Sequence, residues 1–166
     1  MGRPGNTAMV LAAGYGQRMR PITRTRPKPL VEVAGRALID YGFDRLRAAG
    51  VEKAVVNVHY LPDQIIAHVA GRKVPRIVVS DERHGLLDSA GGIVRALPML
   101  GAEPFYVLNA DTFWIDTGTP NLARLAAAWD EKRMDFLLLL ARPAQATGHE
   151  GGTDFSLAAD GRLAWG

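Results

Sequence analysis

The stretch MVLAAGYGQRMRPITRTRPKPL, residues 9–30, passes from an apolar run into a glycine- and arginine-bearing loop and closes on Pro27-Lys28-Pro29. Residues 9–13 predict a buried strand, because five consecutive apolar side chains suit a strand covered on both faces. Gly14 and Gly16 then let the backbone turn sharply, so that bare N–H groups can approach anionic oxygens. Arg18 and Lys28 supply full positive charges. Taken together, these residues describe a cradle for the phosphates of a nucleotide.

Two better-known phosphate loops do not fit. A P-loop needs four residues between its glycines and then Lys-Ser or Lys-Thr, whereas a single residue separates Gly14 from Gly16 and Gln17-Arg18 follow. A dinucleotide fingerprint wants a third glycine where Met19 stands, for close packing of helix on strand. Pro21, Pro27 and Pro29 also forbid the long regular helix that both motifs feed. The loop is therefore expected to stay irregular and to wrap its ligand.

The same stretch resembles the opening signature of the sugar-1-phosphate nucleotidyltransferases, L-A-A-G-x-G-x-R-M-x-P-x-T followed after a short gap by P-K-P-L. Leu11, Ala12, Ala13, Gly14, Gly16, Arg18, Met19, Pro21, Thr23, Pro27, Lys28, Pro29 and Leu30 stand at the matching positions. The resemblance continues through Ala90-Gly91-Gly92 and Asn109-Ala110-Asp111, and so runs over nearly all of the chain. It implies a Rossmann-like α/β fold with a mostly parallel sheet. It also implies a single nucleotidyltransferase domain over residues 1–166 that lacks its C-terminal part, since family members continue past this point with segments for the sugar phosphate and a second metal-binding carboxylate.

Composition agrees with one domain: 166 residues, 48% hydrophobic, suffice for a real core. No run approaches the ~20 apolar residues of a membrane span, and no secretory leader is legible, so a cytoplasmic protein without a membrane partner is expected. The absence of cysteine removes disulfides, thiolate metal sites and thiol nucleophiles together. Net charge is only +3, but Arg18, Arg20, Arg24, Arg26, Lys28 and Arg36 crowd one stretch against Glu32 alone. Such a stretch attracts polyanions. No aromatic interleaves it between Arg18 and Arg36, which favours a small phosphorylated ligand over nucleic acid.

Strand-like and helix-like segments alternate along the chain, the pattern of a parallel sheet with helices on both faces. Helices are expected over residues 37–49, stopped by Gly50, over 62–69, opened by Pro62, and over 89–97, with Ser89 as N-cap. Another is expected from a Thr119-Pro120 cap to about Lys132. Strands are expected at 54–58, 77–79 and 105–108, and a further one, buried on both faces, at 136–140. Residues 154–157 and 162–165 read as a hairpin around Ala159-Asp160-Gly161.

Ligands of open α/β sheets lie beyond the C-terminal strand ends, where the first loop, the 88–92 turn and Asp111 fall. Asp111 follows an apolar strand and should emerge at the sheet rim, able to hold a hard cation such as Mg²⁺ or simply to cap a turn. Gly91 and Gly92 at a helix start allow backbone to approach a flat ligand. The resemblance implies that Ser89, Ala90 and Gly91 lie against the nucleobase, with Asp81 and Glu82 as weaker edge contacts, and that Leu11 through Gln17, Tyr15 included, bind the nucleotide. Asn109 and Asp154 are substrate candidates. His59, His68, His84 and His149 have no metal-site spacing, and Asp116 and Glu150 are ambiguous. Trp129 and Trp165 read as packing residues.

The chemistry that follows is nucleotidyl transfer from a nucleoside triphosphate to a sugar 1-phosphate, with Arg18 on the β- and γ-phosphates, Lys28 between the α-phosphate and the sugar phosphate, and Asp111 on Mg²⁺. The segments PKPLVEVAGRALIDY and LDSAGGI are most similar to N-acetylmuramate 1-phosphate uridylyltransferases, which implies UTP. Mannose-1-phosphate guanylyltransferases share almost every motif and are the near alternative. A catalytically silent nucleotide-binding module is the alternative of a different class.

Overall fold

The computed structural model describes residues 5–146 and 151–165 and divides into two units, residues 1–135 and 136–166. The first is built on a four-stranded sheet of β1 (Thr7–Leu11), β4 (Lys53–Val58), β5 (Arg76–Asp81) and β6 (Tyr106–Asn109). Its order is β5-β4-β1-β6 and every pairing is parallel. A short antiparallel hairpin, β2 (Glu32–Val33) with β3 (Arg36–Ala37), precedes the first helix.

Side-chain alternation divides the core between two faces. Val10, Val56 and Val58 pack with Phe43 and Leu46 of α1 (Leu38–Ala48), Ile65 of α2 (Pro62–Val69) and Leu122 of α4 (Asn121–Ala128). On the other face Met9 and Val55 meet Ala96 and Leu100 of α3 (Asp88–Leu100). Met9, Val55, Val56 and Phe43 are wholly buried, as the middle of a parallel sheet covered on both faces requires. The doubly covered parallel sheet expected from the alternation is therefore present.

Most helix boundaries follow their punctuation. α2 starts at Pro62 and ends at Val69, and α1 stops before Gly50, whose φ of 81° is the left-handed conformation glycine takes without strain. Asp40 in the first turn of α1 pairs with Arg72 at 2.9 Å and His68 at 3.0 Å, tying α1 to the end of α2. The β2–β3 hairpin escaped the sequence reading, since its turn puts Ala34 at φ 51° ahead of Gly35, and alanine is a poor signal for a left-handed residue.

Three expectations are corrected. Ser89 does not cap α3: the helix begins one residue earlier, at Asp88, with Leu87 in the cap position. Thr119 does not cap α4, which runs only to Ala128 rather than to Lys132. The cap is instead remote, because Asp116 Oδ1 accepts from the Asn121 backbone N–H at 2.9 Å and from Trp114 Nε1 at 3.0 Å, while Oδ2 pairs with Arg45 at 3.0 Å. Asp116 is thereby structural. Residues 136–140 form no strand, and Phe136 is 87% exposed. An apolar run becomes a strand only where a neighbour offers ladder hydrogen bonds, and within the second unit only β7 (Phe155–Leu157) and β8 (Leu163–Trp165) pair among the described residues.

That second unit holds the expected hairpin, antiparallel, with Phe155 and Trp165 rings stacked at 5.0 Å. No helix among the described residues is long and apolar enough to cross a membrane. Substituting Asp116→Ala removes the α4 cap and the partner of Arg45 together. A loss of about 1–3 kcal/mol is expected from these hydrogen bonds, read as a lower urea midpoint at unchanged m-value.

Candidate active site

The strand order fixes where a ligand can sit. From β1 the chain builds outward on one side through β4 and β5, then crosses back to β6 on the other, so the order reverses between β1 and β6. Beyond the C-terminal ends of these two strands lies a cleft of about 470 Å³. Leu11, Ala12, Ala13 and Gly14 line it from β1, and Asn109 and Asp111 from β6.

The loop after β1 is folded into three single-turn 3₁₀ segments, Gln17–Met19, Ile22–Arg24 and Lys28–Leu30, in keeping with a proline-broken irregular path. It is pinned from several sides. Fully buried Thr23 donates its hydroxyl to the Gly16 carbonyl at 2.8 Å. Tyr60 donates to the Thr23 carbonyl at 2.8 Å, and Gln64 to the Thr25 carbonyl at 2.9 Å. Gly16 itself has φ 62°, and a Cβ there would meet Lys28 Cβ at 3.0 Å and Thr23 Cγ2 at 3.1 Å. The left-handed backbone conformation favours glycine, and the neighbouring side chains would have to give way to any Cβ.

Charge is arranged across this hollow. Lys28 Nζ is in direct ion-pair contact with Asp111 Oδ2, both side chains rather more than a quarter exposed, so that the loop and the end of β6 are bridged. Arg18 also lines the cleft, and its guanidinium has no ion pair among the described residues. A second carboxylate, Asp88, lines the opposite rim at φ 55°, a conformation that Asp tolerates better than most residues. An anionic ligand entering here meets two cationic side chains, Arg18 and Lys28, the latter held by its carboxylate partner.

Most of the candidates from the sequence meet here. Gly16, Gln17, Arg18, Lys28, Ser89, Asn109 and Asp111 join the β1 end in lining the cleft. Tyr15 does not: its hydroxyl is 3.0 Å from His59 Nε2, and its ring packs on His59 and Tyr60. Ala90, which is exposed, and Gly91 are outside the lining, and Gly92 faces the interior. Glu82 is only 2% exposed, and Asp81 pairs with Arg83 at 2.8 Å. The Arg83 backbone N–H, first among several contacts, holds the Asp81 carboxyl below the usual carboxylate range. Asp154 belongs to the second unit, in the bend before β7, while His149 and Glu150 lie outside the described residues. Sequence reading missed Asn57 and Leu86 as lining residues, while Asp88 lines the cleft as part of the 88–92 turn that the sequence placed there.

Comparison with known proteins agrees with this geometry. The family model described as MobA-like NTP transferase domain matches residues 8–149, spanning the cleft and both of its walls. The chain belongs to this family. Among curated relatives, the N-acetylmuramate alpha-1-phosphate uridylyltransferase of Caulobacter vibrioides is 51% identical over 97% of this chain and 68% of its own. A mannose-1-phosphate guanyltransferase of Aspergillus fumigatus is 40% identical over 63% of this chain and 30% of its own. The solved CTP:phosphocholine cytidylyltransferase of Streptococcus pneumoniae superposes with a TM-score of 0.56 at 29% identity, over 69% of this chain and 49% of that one. The chain thus spans about two thirds of the Caulobacter relative and about half of the pneumococcal one.

A hard cation is compatible with the donor set. Asp111 offers carboxylate oxygen at the rim of the cleft, and Mg²⁺ commonly takes one or two protein carboxylates and completes its shell with phosphate and water. No group of three or more His, Asp or Glu side chains converges among the described residues, so such an ion would depend on its ligand for the rest of its shell. Gly16→Ala is expected to cost about 1–2 kcal/mol from the left-handed φ alone. It should also push Lys28 out of place, observed as a lower melting temperature together with weaker nucleotide binding.

Proposed function

We propose that this chain carries the nucleotide site of a sugar-1-phosphate nucleotidyltransferase, within one nucleotidyltransferase domain over residues 1–166. A phosphate oxygen of the sugar 1-phosphate attacks the α-phosphorus of the nucleoside triphosphate; the bond to the bridging oxygen breaks, pyrophosphate leaves, and a nucleotide-sugar forms. The favoured substrates are UTP and N-acetylmuramate 1-phosphate, since the extensive likeness is to a uridylyltransferase of that sugar phosphate. The likeness to a mannose-1-phosphate guanyltransferase covers a smaller part of the chain.

The observation that carries the proposal is the pairing of Lys28 with Asp111 across the mouth of the switch-point cleft, which Arg18 also lines. Charge of both signs is held where the triphosphate and the incoming phosphate would meet, and reaction of two anions is mainly a problem of orientation and neutralisation. In this reading Arg18 and the amides of residues 14–17 hold the β- and γ-phosphates, which become the leaving group. Lys28 exchanges Asp111 for the α-phosphate and the sugar phosphate, and draws the two reacting groups together. Asp111, once released, would hold Mg²⁺, which when bound would supply neutralisation of phosphate charge. No covalent intermediate with the protein is required. Ser89 and the start of α3 face the nucleobase, and Asn109 belongs to the sugar side. The enzyme works in the cytoplasm, with neither nucleic acid nor membrane as partner.

Thermal-shift and calorimetric titration with UTP, GTP, CTP and dTTP in Mg²⁺ should give the largest stabilisation for UTP; equal response to all four removes the uridylyl assignment. Pyrophosphate release with N-acetylmuramate 1-phosphate then separates an enzyme from a silent nucleotide-binding module, which would bind without turnover. Lys28→Ala and Asp111→Ala should each lower that release by about a hundredfold or more. Neither should move the melting temperature much, because a partly exposed pair contributes about 0–1 kcal/mol to folding.

A further inference from the structure

Directly behind the cleft lies a buried polar pair for which the phosphate chemistry above has no use. Asn57, next to last in β4, and Glu82, just past β5, are each 2% exposed. Asn57 Oδ1 accepts from the Ala12 backbone N–H at 2.8 Å, and its Nδ2 donates to Glu82 Oε1 at 3.0 Å. With Oε1 of Glu82 taking the amide nitrogen, the amide oxygen must face Ala12, so the carboxylate sets which way round the Asn57 side chain sits. Asn57 also lines the cleft, whereas Glu82 does not.

Stability does not account for this arrangement. Among the described residues Glu82 Oε2 is buried without a hydrogen-bond partner, as is Oγ of Ser80, which stands opposite Asn57 in the β4–β5 ladder. Leaving a buried oxygen unpaired costs about 1–3 kcal/mol, and an apolar pair of similar size would avoid that cost. The pair is also keyed from above. A Cβ on Gly92 would fall 2.7 Å from Asn57 Nδ2 and 3.0 Å from Glu82 Oε1, so only glycine lets α3 settle on it at this distance. The first turn of that helix carries Asp88 and Ser89 to the cleft rim. One amide side chain thus touches the end of β1, the end of β5 and the start of α3.

We propose that Asn57, held by Glu82, is a positioning residue for nucleotide binding. By turning the Ala12 N–H inward it sets the direction in which the phosphate loop leaves β1, and by seating Gly92 it sets how far the opposite rim stands from that loop. Glu82 accordingly acts through Asn57, with no direct contact to the base. This inference rests on the nucleotide reading above.

The test is a charge-swapped pair of variants. Asn57→Asp sets a carboxylate against Glu82 and should weaken Mg²⁺-UTP binding by about tenfold or more, as small misplacements of a binding wall do. Adding Glu82→Gln to Asn57→Asp restores a donor between positions 82 and 57 while the new carboxylate still accepts from Ala12 N–H, and most of the lost affinity should return. Affinity is measured by calorimetry on protein whose fold is checked by near-ultraviolet circular dichroism, with the melting temperature recorded alongside. A purely structural role predicts a lower melting temperature with unchanged affinity, and that result overturns the proposal. If Asn57→Asp does not fold, Asn57→Ala takes its place, and wild-type affinity there overturns the proposal equally. Failure of the unsubstituted chain to bind any nucleoside triphosphate overturns the functional reading, and the positioning role with it.

Discussion

The parallel pairing of β1 between β4 and β6 is the constraint on which the rest of this molecule hangs. It puts Leu11 in register with Asn57 on one side and with Asn109 on the other, so three strands end together at one rim. Parallel strands need crossovers, the crossovers supply the covering helices, and the reversal of strand order between β1 and β6 leaves a hollow that no helix fills. Every group with a part in the proposed chemistry is delivered to that hollow by a strand end, by the first turn of α3 or by the loop after β1.

Electrostatics and packing divide the work there. The loop's shape is held by hydrogen bonds to its own carbonyls, from Thr23, Tyr60 and Gln64, and by the space that Gly16 leaves for Lys28. Its positive charge is thereby free to serve the ligand. In the Lys28–Asp111 contact each charge has a partner, which limits the desolvation cost of keeping both at a cleft mouth. Arg18, with no ion pair among the described residues, marks the side from which an anion first feels attraction.

Away from the cleft, single side chains do the joining. Asp116 caps α4 from outside the helix and anchors Arg45 of α1, and Asp40 gathers His68 and Arg72. These acidic residues look in sequence much like Asp111. Their roles differ because of what the fold sets beside them, a helix N-terminus in one case and a cleft in the other.

Local chemistry made much of the design legible in advance. Apolar runs marked β1, β4, β5 and β6, Pro62 and Gly50 punctuated the helices, and the glycines and prolines of 9–30 announced an irregular loop, because each of these signals acts over a few neighbouring residues. The apolar run at 136–140 was misread for the complementary reason, since strand formation requires a partner that no local pattern reveals. Contacts between residues distant in the chain left no such trace. The Asp116 cap, the Lys28–Asp111 bridge, the burial of Glu82 and the placing of Asn57 at the cleft wall arise when separate strand ends and helices are brought side by side, and the energy of a hydrogen bond or ion pair depends on that juxtaposition far more than on the residue's own neighbours.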